Sequence, residues 1–329
     1  MAATQENRQD KADLLVFGPP KPHVTSALAG AFTLHHFENQ RDLGRIASAA
    51  AARIRGIAVT GLVHVDGSMM SRFPKLEIVS SFGVGYDHID VDYSREHMVI
   101  VTHTPDVLTE ETADAAIGLF IATVREFVKA DRYLRSGLWA NQPYPLTAAS
   151  TRDRTVGMVG MGRIGKAIAR RLDAMRIPVV YHSRRPAEGV IYRHYPKLLD
   201  MAKAVDTLIV MVPGGAGTTK AINAEVLSAL GPNGVVINMA RGSVVDEPAL
   251  ISALKSGTIL AAGLDVFANE PIVPDELRAL QNVVLLPHIG SASVLTRHAM
   301  DQLVVDNLKA WFDGKLPPTP IPETPVKSR

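Results

Sequence analysis

Apolar residues fall along this chain in short runs set between longer stretches of mixed character. In the first third the runs are Leu14-Leu15-Val16-Phe17, the segment Arg53 to Val59, Leu76-Glu77-Ile78-Val79 and Val99-Ile100-Val101. Short apolar runs alternating with helical stretches predict a parallel sheet covered by helices. After Pro105 the period changes: Ala113, Ala116, Ile117, Phe120, Ile121 and Val124 recur at helical spacing. This predicts one long helix from Thr109 to Arg135, closed by the turn residues Asn141-Gln142-Pro143-Tyr144-Pro145.

The strand rhythm then resumes with Thr155 to Val159, Val179-Val180-Tyr181, Thr207 to Met211, Val235 to Asn238, Ala261 to Leu264 and Val283 to Leu286. Together these predict a six-stranded doubly wound sheet. A last helix, about Val294 to Phe312, precedes the proline-rich Leu316-Pro317-Pro318-Thr319-Pro320 and is expected to return to the first domain. The expected fold is α/β, with two parallel-sheet domains and a cleft between them where a small ligand would bind.

The second series opens on Gly160-Met161-Gly162-Arg163-Ile164-Gly165, directly after a strand and directly before the helical stretch Lys166 to Met175. That context is what a dinucleotide-binding turn requires. Gly160 permits the sharp turn, Gly162 lets backbone approach a pyrophosphate, and Gly165 lets the helix lie close to the strand. The helix N-terminus favours negative charge. In NAD-binding versions of the unit an acidic residue follows about 20 residues later and accepts the ribose hydroxyls. Here the second strand ends instead in Ser183-Arg184-Arg185. A hydroxyl and two guanidinium forks suit a 2′-phosphate, so NADP(H) is expected, with NAD(H) as the weaker alternative; solvated loop charges are the bland reading.

Composition narrows the field. The chain has 329 residues, 47% of them hydrophobic, enough for two domains with sizeable cores. A formal charge of +2 with no dense basic run argues against nucleic acid. There is no cysteine, which excludes disulfides, thiolate metal sites and cysteine nucleophiles. Met1 to Asp13 is polar without a signal-peptide pattern, and no apolar run approaches the ~20 residues needed to span a bilayer. A cytoplasmic protein is expected.

Three titratable or charged residues follow successive strands of the second series: Arg241 in Asn238-Met239-Ala240-Arg241-Gly242, Glu270 in Asp265-Val266-Phe267-Ala268-Asn269-Glu270-Pro271, and His288 in Pro287-His288-Ile289-Gly290. In an open α/β sheet the carboxyl edge faces the ligand. There Arg241 can clamp a carboxylate and polarise a carbonyl, His288 can transfer a proton, and Glu270 can orient and stabilise its imidazolium. Each alone could be an ordinary loop residue, and the chain has 11 histidines; it is the shared edge that groups them. No histidine pair has metal-ligand spacing with an acid between, so no metal is expected. In the first domain Ser81-Phe82-Gly83-Val84-Gly85-Tyr86-Asp87 follows a strand, and its glycines can free backbone N–H groups for a carboxylate or form an ordinary turn.

With these motifs in family order, the chain resembles the D-isomer-specific 2-hydroxyacid dehydrogenases over essentially its full length, and among them the glyoxylate/hydroxypyruvate reductases. The resemblance implies a Rossmann-type cofactor domain (107–296) inserted into a flavodoxin-like substrate domain (1–106 and 297–329). It implies Arg241, Glu270 and His288 as the catalytic set, and substrate binding by Arg241 and the backbone at Val84 and Gly85. Thr109, Val212, Pro213, Thr218, Met239, Ala240, Asp265 and Gly290 would line the cofactor beside the glycine turn. It further implies a homodimer in which the segment around Trp139 reaches the partner's active site; a tryptophan capping its own core is the alternative. The expected reaction is reduction of a small 2-keto acid, glyoxylate or hydroxypyruvate, by NADPH with His288 as proton donor. Alternatives are a reductase of larger 2-keto acids such as phenylpyruvate, decided by width near Val84, Leu108 and Trp139, or a non-catalytic nucleotide sensor like the C-terminal-binding-protein corepressors.

Overall fold

The structure, a computed structural model, describes residues 11–324; residues 1–10, on which the N-terminal reading rests, and 325–329 lie outside the described residues. The chain divides into two compact units, Met1–Leu108 with Val294–Arg329, and Thr109–Ser293.

The first unit is built on five parallel strands, β1 (Asp13–Phe17), β2 (Thr33–Phe37), β3 (Ile54–Val59), β4 (Ile78–Ser81) and β5 (Ile100–Thr102), in the order β2-β1-β3-β4-β5. This is the flavodoxin-like arrangement. Strands β1, β4 and β5 are buried at every position and β3 at all but one, which is why they read as unbroken apolar runs. On one face Leu15, Phe17, Ile57, Val59, Val79 and Val101 pack with Met69, Met70 and Phe73. The helix Val294–Phe312 lies against β3 and β4, close enough that a Cβ on Gly56 would sit 3.2 Å from the Phe312 ring. Strand β2 was not expected. Its sequence, Thr-Leu-His-His-Phe, carries no apolar run because it is a half-exposed edge strand bonded only to β1.

The second unit holds seven parallel strands: β6 (Val156–Val159), β7 (Val179–His182), β8 (Arg193–Tyr195), β9 (Thr207–Val210), β10 (Val235–Asn238), β11 (Ala261–Leu264) and β12 (Val283–Leu285). Their order is β12-β11-β10-β9-β6-β7-β8. The expected six-stranded sheet omits β8, again a short polar edge strand. The order reverses at β6, flanked by β7 and β9, which makes the end of β6 the topological switch point of a Rossmann-type sheet.

The single long helix expected from Thr109 to Arg135 is two helices, Thr109–Val124 and Phe127–Arg135, separated by Glu126 in the left-handed region at φ 52°. The first buries Ala113, Ala116, Leu119, Phe120 and Val124, whereas the second buries nothing. At the break the Glu126 carboxylate takes hydrogen bonds from Lys129 (2.8 Å) and the Tyr144 hydroxyl (3.1 Å), local partners that reward the turn. Among the described residues, no helix is long and apolar enough to cross a membrane.

Candidate active site

The end of β6 is shaped by its glycines in two different ways. Gly160 has φ +101°, and a Cβ there would lie 2.3 Å from the carbonyl oxygen of Met211; a Cβ on Gly165 would lie 2.5 Å from that of Gly160. Both positions are closed to side chains by the protein's own backbone. A Cβ on Gly162, by contrast, would meet nothing within 4 Å. Packing leaves Gly162 open, as expected if a ligand rather than the protein fills the space. Gly162 also begins the helix Arg163–Ala174 without a side-chain cap, so the first N–H groups of that helix keep donors for an anion.

Strand β7 is followed by Ser183, whose Oγ donates to the Arg185 carbonyl (2.6 Å) while its own carbonyl accepts from His194 (2.9 Å). This bracing leaves the Arg184 and Arg185 side chains exposed. Neither has an ion-pair partner among the described residues. These features fit a phosphorylated dinucleotide: an open glycine, an uncapped helix start and two uncommitted guanidinium groups.

The carboxyl ends of β10, β11 and β12, adjacent in the sheet, carry the remaining groups. Asn238, 1% exposed at the end of β10, donates to the Arg241 carbonyl (3.0 Å) and accepts from the Ala240 N–H (3.1 Å), tying that loop into a tight arc. A Cβ on the next residue, Gly242, would fall 1.8 Å from the carbonyl carbon of Phe267, so the loops after β10 and β11 are in backbone contact.

Asp265, 2% exposed, follows β11 and organises the loop after β12. Its carbonyl accepts from the His288 N–H (2.9 Å), and its two carboxylate oxygens accept from Ile289 (2.7 Å) and Gly290 (2.8 Å). Burial raises the Asp265 carboxyl above its ordinary range, and the two N–H groups and the nearby His288 offset part of that rise. His288 itself has φ 55°, a sparsely populated conformation for a residue with a side chain; the three bonds from Asp265 hold it there.

In that posture His288 Nδ1 lies 2.7 Å from Glu270 Oε2, while Glu270 Oε1 accepts from the Phe267 N–H (3.0 Å). Burial pushes the Glu270 carboxyl up, but the hydrogen bonds from His288 and Phe267, with the positive charge of His288 and Arg241, outweigh it and hold the group below its ordinary range. Since an ionised carboxylate only accepts, Nδ1 carries the hydrogen and Nε2 is left to exchange a proton.

Residues 117–290 match the family described as D-isomer specific 2-hydroxyacid dehydrogenase, NAD binding domain. The chain is 43% identical over 308 residues to glyoxylate/hydroxypyruvate reductase A of Arabidopsis thaliana, spanning 94% of this chain and 98% of that protein. Identity and coverage are the same against a hydroxyphenylpyruvate reductase of Plectranthus scutellarioides. A solved structure of an NADPH-dependent glyoxylate/hydroxypyruvate reductase from Sinorhizobium meliloti, in complex with NADP and malonate, superposes with a TM-score of 0.93 at 52% identity, over 97% of this chain and 99% of that one. The chain belongs to the D-isomer-specific 2-hydroxyacid dehydrogenase family.

Of the residues expected at the site of this dehydrogenase, Gly160, Gly162, Arg163, Ile164 and Gly165 form the β6 turn and helix start, with Val212 against Gly160. Thr218 donates to the Pro213 carbonyl (2.7 Å) in the loop after β9. Met239 touches the position of a Gly290 Cβ (3.1 Å), beside Thr112 at the start of the Thr109–Val124 helix. Val84 and Gly85 lie in the other unit. Trp139 is 64% exposed in the short 3-10 turn Leu138–Ala140, so it does not cap its own core. Sequence reasoning missed three structural supports: Asn238, Gly242 and the pinning role of Asp265. Their only sequence signal is that each stands immediately after a strand or beside a named site residue.

Proposed function

We propose that this dehydrogenase reduces a small 2-keto acid, glyoxylate or hydroxypyruvate, to the 2-hydroxy acid with NADPH. The observation that carries the reading is the Glu270-bound His288, held by Asp265 on the same sheet edge as Arg241. The nicotinamide, when bound, supplies the hydride. His288 delivers a proton from Nε2 to the substrate oxygen as charge develops there, and Glu270 stabilises the imidazolium before transfer. Arg241 holds the carboxylate and polarises the neighbouring carbonyl, and the N–H groups of Val84 and Gly85 serve as further donors for that carboxylate. Ser183, Arg184 and Arg185 receive the 2′-phosphate, which favours NADPH over NADH. In this reading Met1–Leu108 with Val294–Arg329 is the substrate unit and Thr109–Ser293 the cofactor unit.

The name of the Plectranthus relative supports a second reading, a larger aryl-substituted 2-keto acid. The test is a steady-state panel of glyoxylate, hydroxypyruvate, pyruvate and phenylpyruvate with each nicotinamide cofactor. The first reading requires the highest kcat/KM on glyoxylate or hydroxypyruvate with NADPH. A preference for phenylpyruvate selects the second, and no turnover on the panel favours the nucleotide sensor.

The same reading includes a cytoplasmic homodimer. The support for the dimer is the exposed apolar series Phe127, Val128, Leu134, Leu138, Trp139 and Leu146 in the second unit. Trp139 would reach toward the partner's site.

A further inference from the structure

We propose that His103 is a positioning residue for substrate binding, fixing the Val84–Gly85 peptide so that its N–H is presented to the substrate carboxylate. This rests on the reading that the Ser81–Asp87 loop takes that carboxylate. His103 Nδ1 lies 2.9 Å from the Val84 carbonyl oxygen. A carbonyl only accepts, so Nδ1–H is the donor. In a planar trans peptide the C=O and the following N–H point in opposite directions. Anchoring the Val84 carbonyl on His103 therefore turns the Gly85 N–H to the opposite side. Among the described residues, neither the Val84 nor the Gly85 N–H donates a hydrogen bond, and both residues are only half-buried. Two oriented donors without acceptors are what an incoming carboxylate needs.

The anchor is itself braced. One residue earlier in the loop, Gly83 is fixed by Thr104, whose hydroxyl accepts from the Gly83 N–H (2.9 Å) and whose N–H donates to the Gly83 carbonyl (2.8 Å). The His103 backbone is clasped by Thr319, whose carbonyl takes the His103 N–H (3.1 Å) and whose hydroxyl donates to the His103 carbonyl (2.6 Å). Tyr86 packs edge-on against the His103 ring at 5.5 Å, and its hydroxyl donates to Glu323, with both carboxylate oxygens at 3.2 Å. The proline-rich segment near the C-terminus thus serves as a brace for the loop.

The test compares His103→Ala and His103→Asn with the natural protein, using glyoxylate and NADPH. The alanine variant is expected to raise KM for glyoxylate by about 10-fold with kcat within ~2-fold and NADPH affinity unchanged, the pattern of lost substrate binding. His103→Asn recovers most of the loss, because its amide nitrogen stands near the place of Nδ1. Tyr86→Phe gives a smaller rise in KM, of ~2- to 3-fold, again with kcat kept. An unchanged KM in His103→Ala, or an asparagine variant no better than alanine, overturns the positioning role. Gly85→Pro, checked for folding by thermal unfolding and NADPH binding, removes the N–H itself. If Gly85→Pro raises KM and His103→Ala does not, the positioning role alone is lost; if folded Gly85→Pro binds glyoxylate normally, the carboxylate reading falls with it.

Discussion

Gly242 and Phe267 touch through their backbones: a Cβ on Gly242 would lie 1.8 Å from the Phe267 carbonyl carbon and 1.9 Å from its oxygen. The contact locks the Arg241 loop to the residue whose N–H holds Glu270. Gly242→Ala should therefore damage both stability and catalysis. Overpacking of this kind costs roughly 1–3 kcal/mol or more. Chemical denaturation should show that loss, with a fall in kcat/KM of about 10-fold or greater, since the two loops can no longer approach. Unchanged stability would mean the loops separate without cost.

His288→Ala should lower kcat by ~10²-fold or more, the usual contribution of a positioned proton donor. Arg241→Ala should raise KM for the keto acid as well as lower kcat, because it serves binding and carbonyl polarisation together. Near-normal turnover in either variant, measured by NADPH oxidation, removes that residue from the mechanism.

Glu270 is held below its ordinary value, so its contribution to stability is present in full above that value and is lost progressively as pH falls from there through the lowered one. The difference in unfolding free energy between the natural protein and Glu270→Gln should thus be flat from neutral pH down to the ordinary glutamate range and shrink as pH falls below it. A difference that does not shrink below that range would show that the carboxylate is not held down by its partners.

Asp265→Asn leaves one oxygen where two N–H groups need acceptors and places an amide donor against the other. A buried donor without its partner costs roughly 1–3 kcal/mol. Loosening of the strained His288 backbone should also reduce kcat. Asp265→Asn with natural stability and kcat would assign the strain at His288 to some other support.

Arg184→Ala should reduce kcat/KM for NADPH by about 10-fold and leave NADH nearly unaffected, as loss of a charge-assisted phosphate contact requires. An unchanged NADPH-to-NADH ratio would sink the assignment of the phosphate site.

Much of this protein can be read before it folds. The central strands, buried on both faces, must be written as continuous apolar runs, and Gly160 and Gly165 after β6 stand where the protein's own backbone leaves no room for a side chain. The edge strands β2 and β8 escaped notice because half-exposed strands have no need of apolar runs. The break at Glu126 is invisible to periodicity, since it depends on a carboxylate finding Tyr144 across a loop.

At the site, sequence alone determined which residues stand at the strand ends: Arg241, Glu270 and His288 by their places in the chain. Only the tertiary structure decided how they act together. The Glu270–His288 bond, the Asp265 bonds that hold His288 in a left-handed backbone, and the contact of Gly242 with Phe267 join loops that follow different strands. Chain spacing records the period of one element at a time; these distances exist only because β10, β11 and β12 lie side by side, and that adjacency is settled by packing the whole sheet.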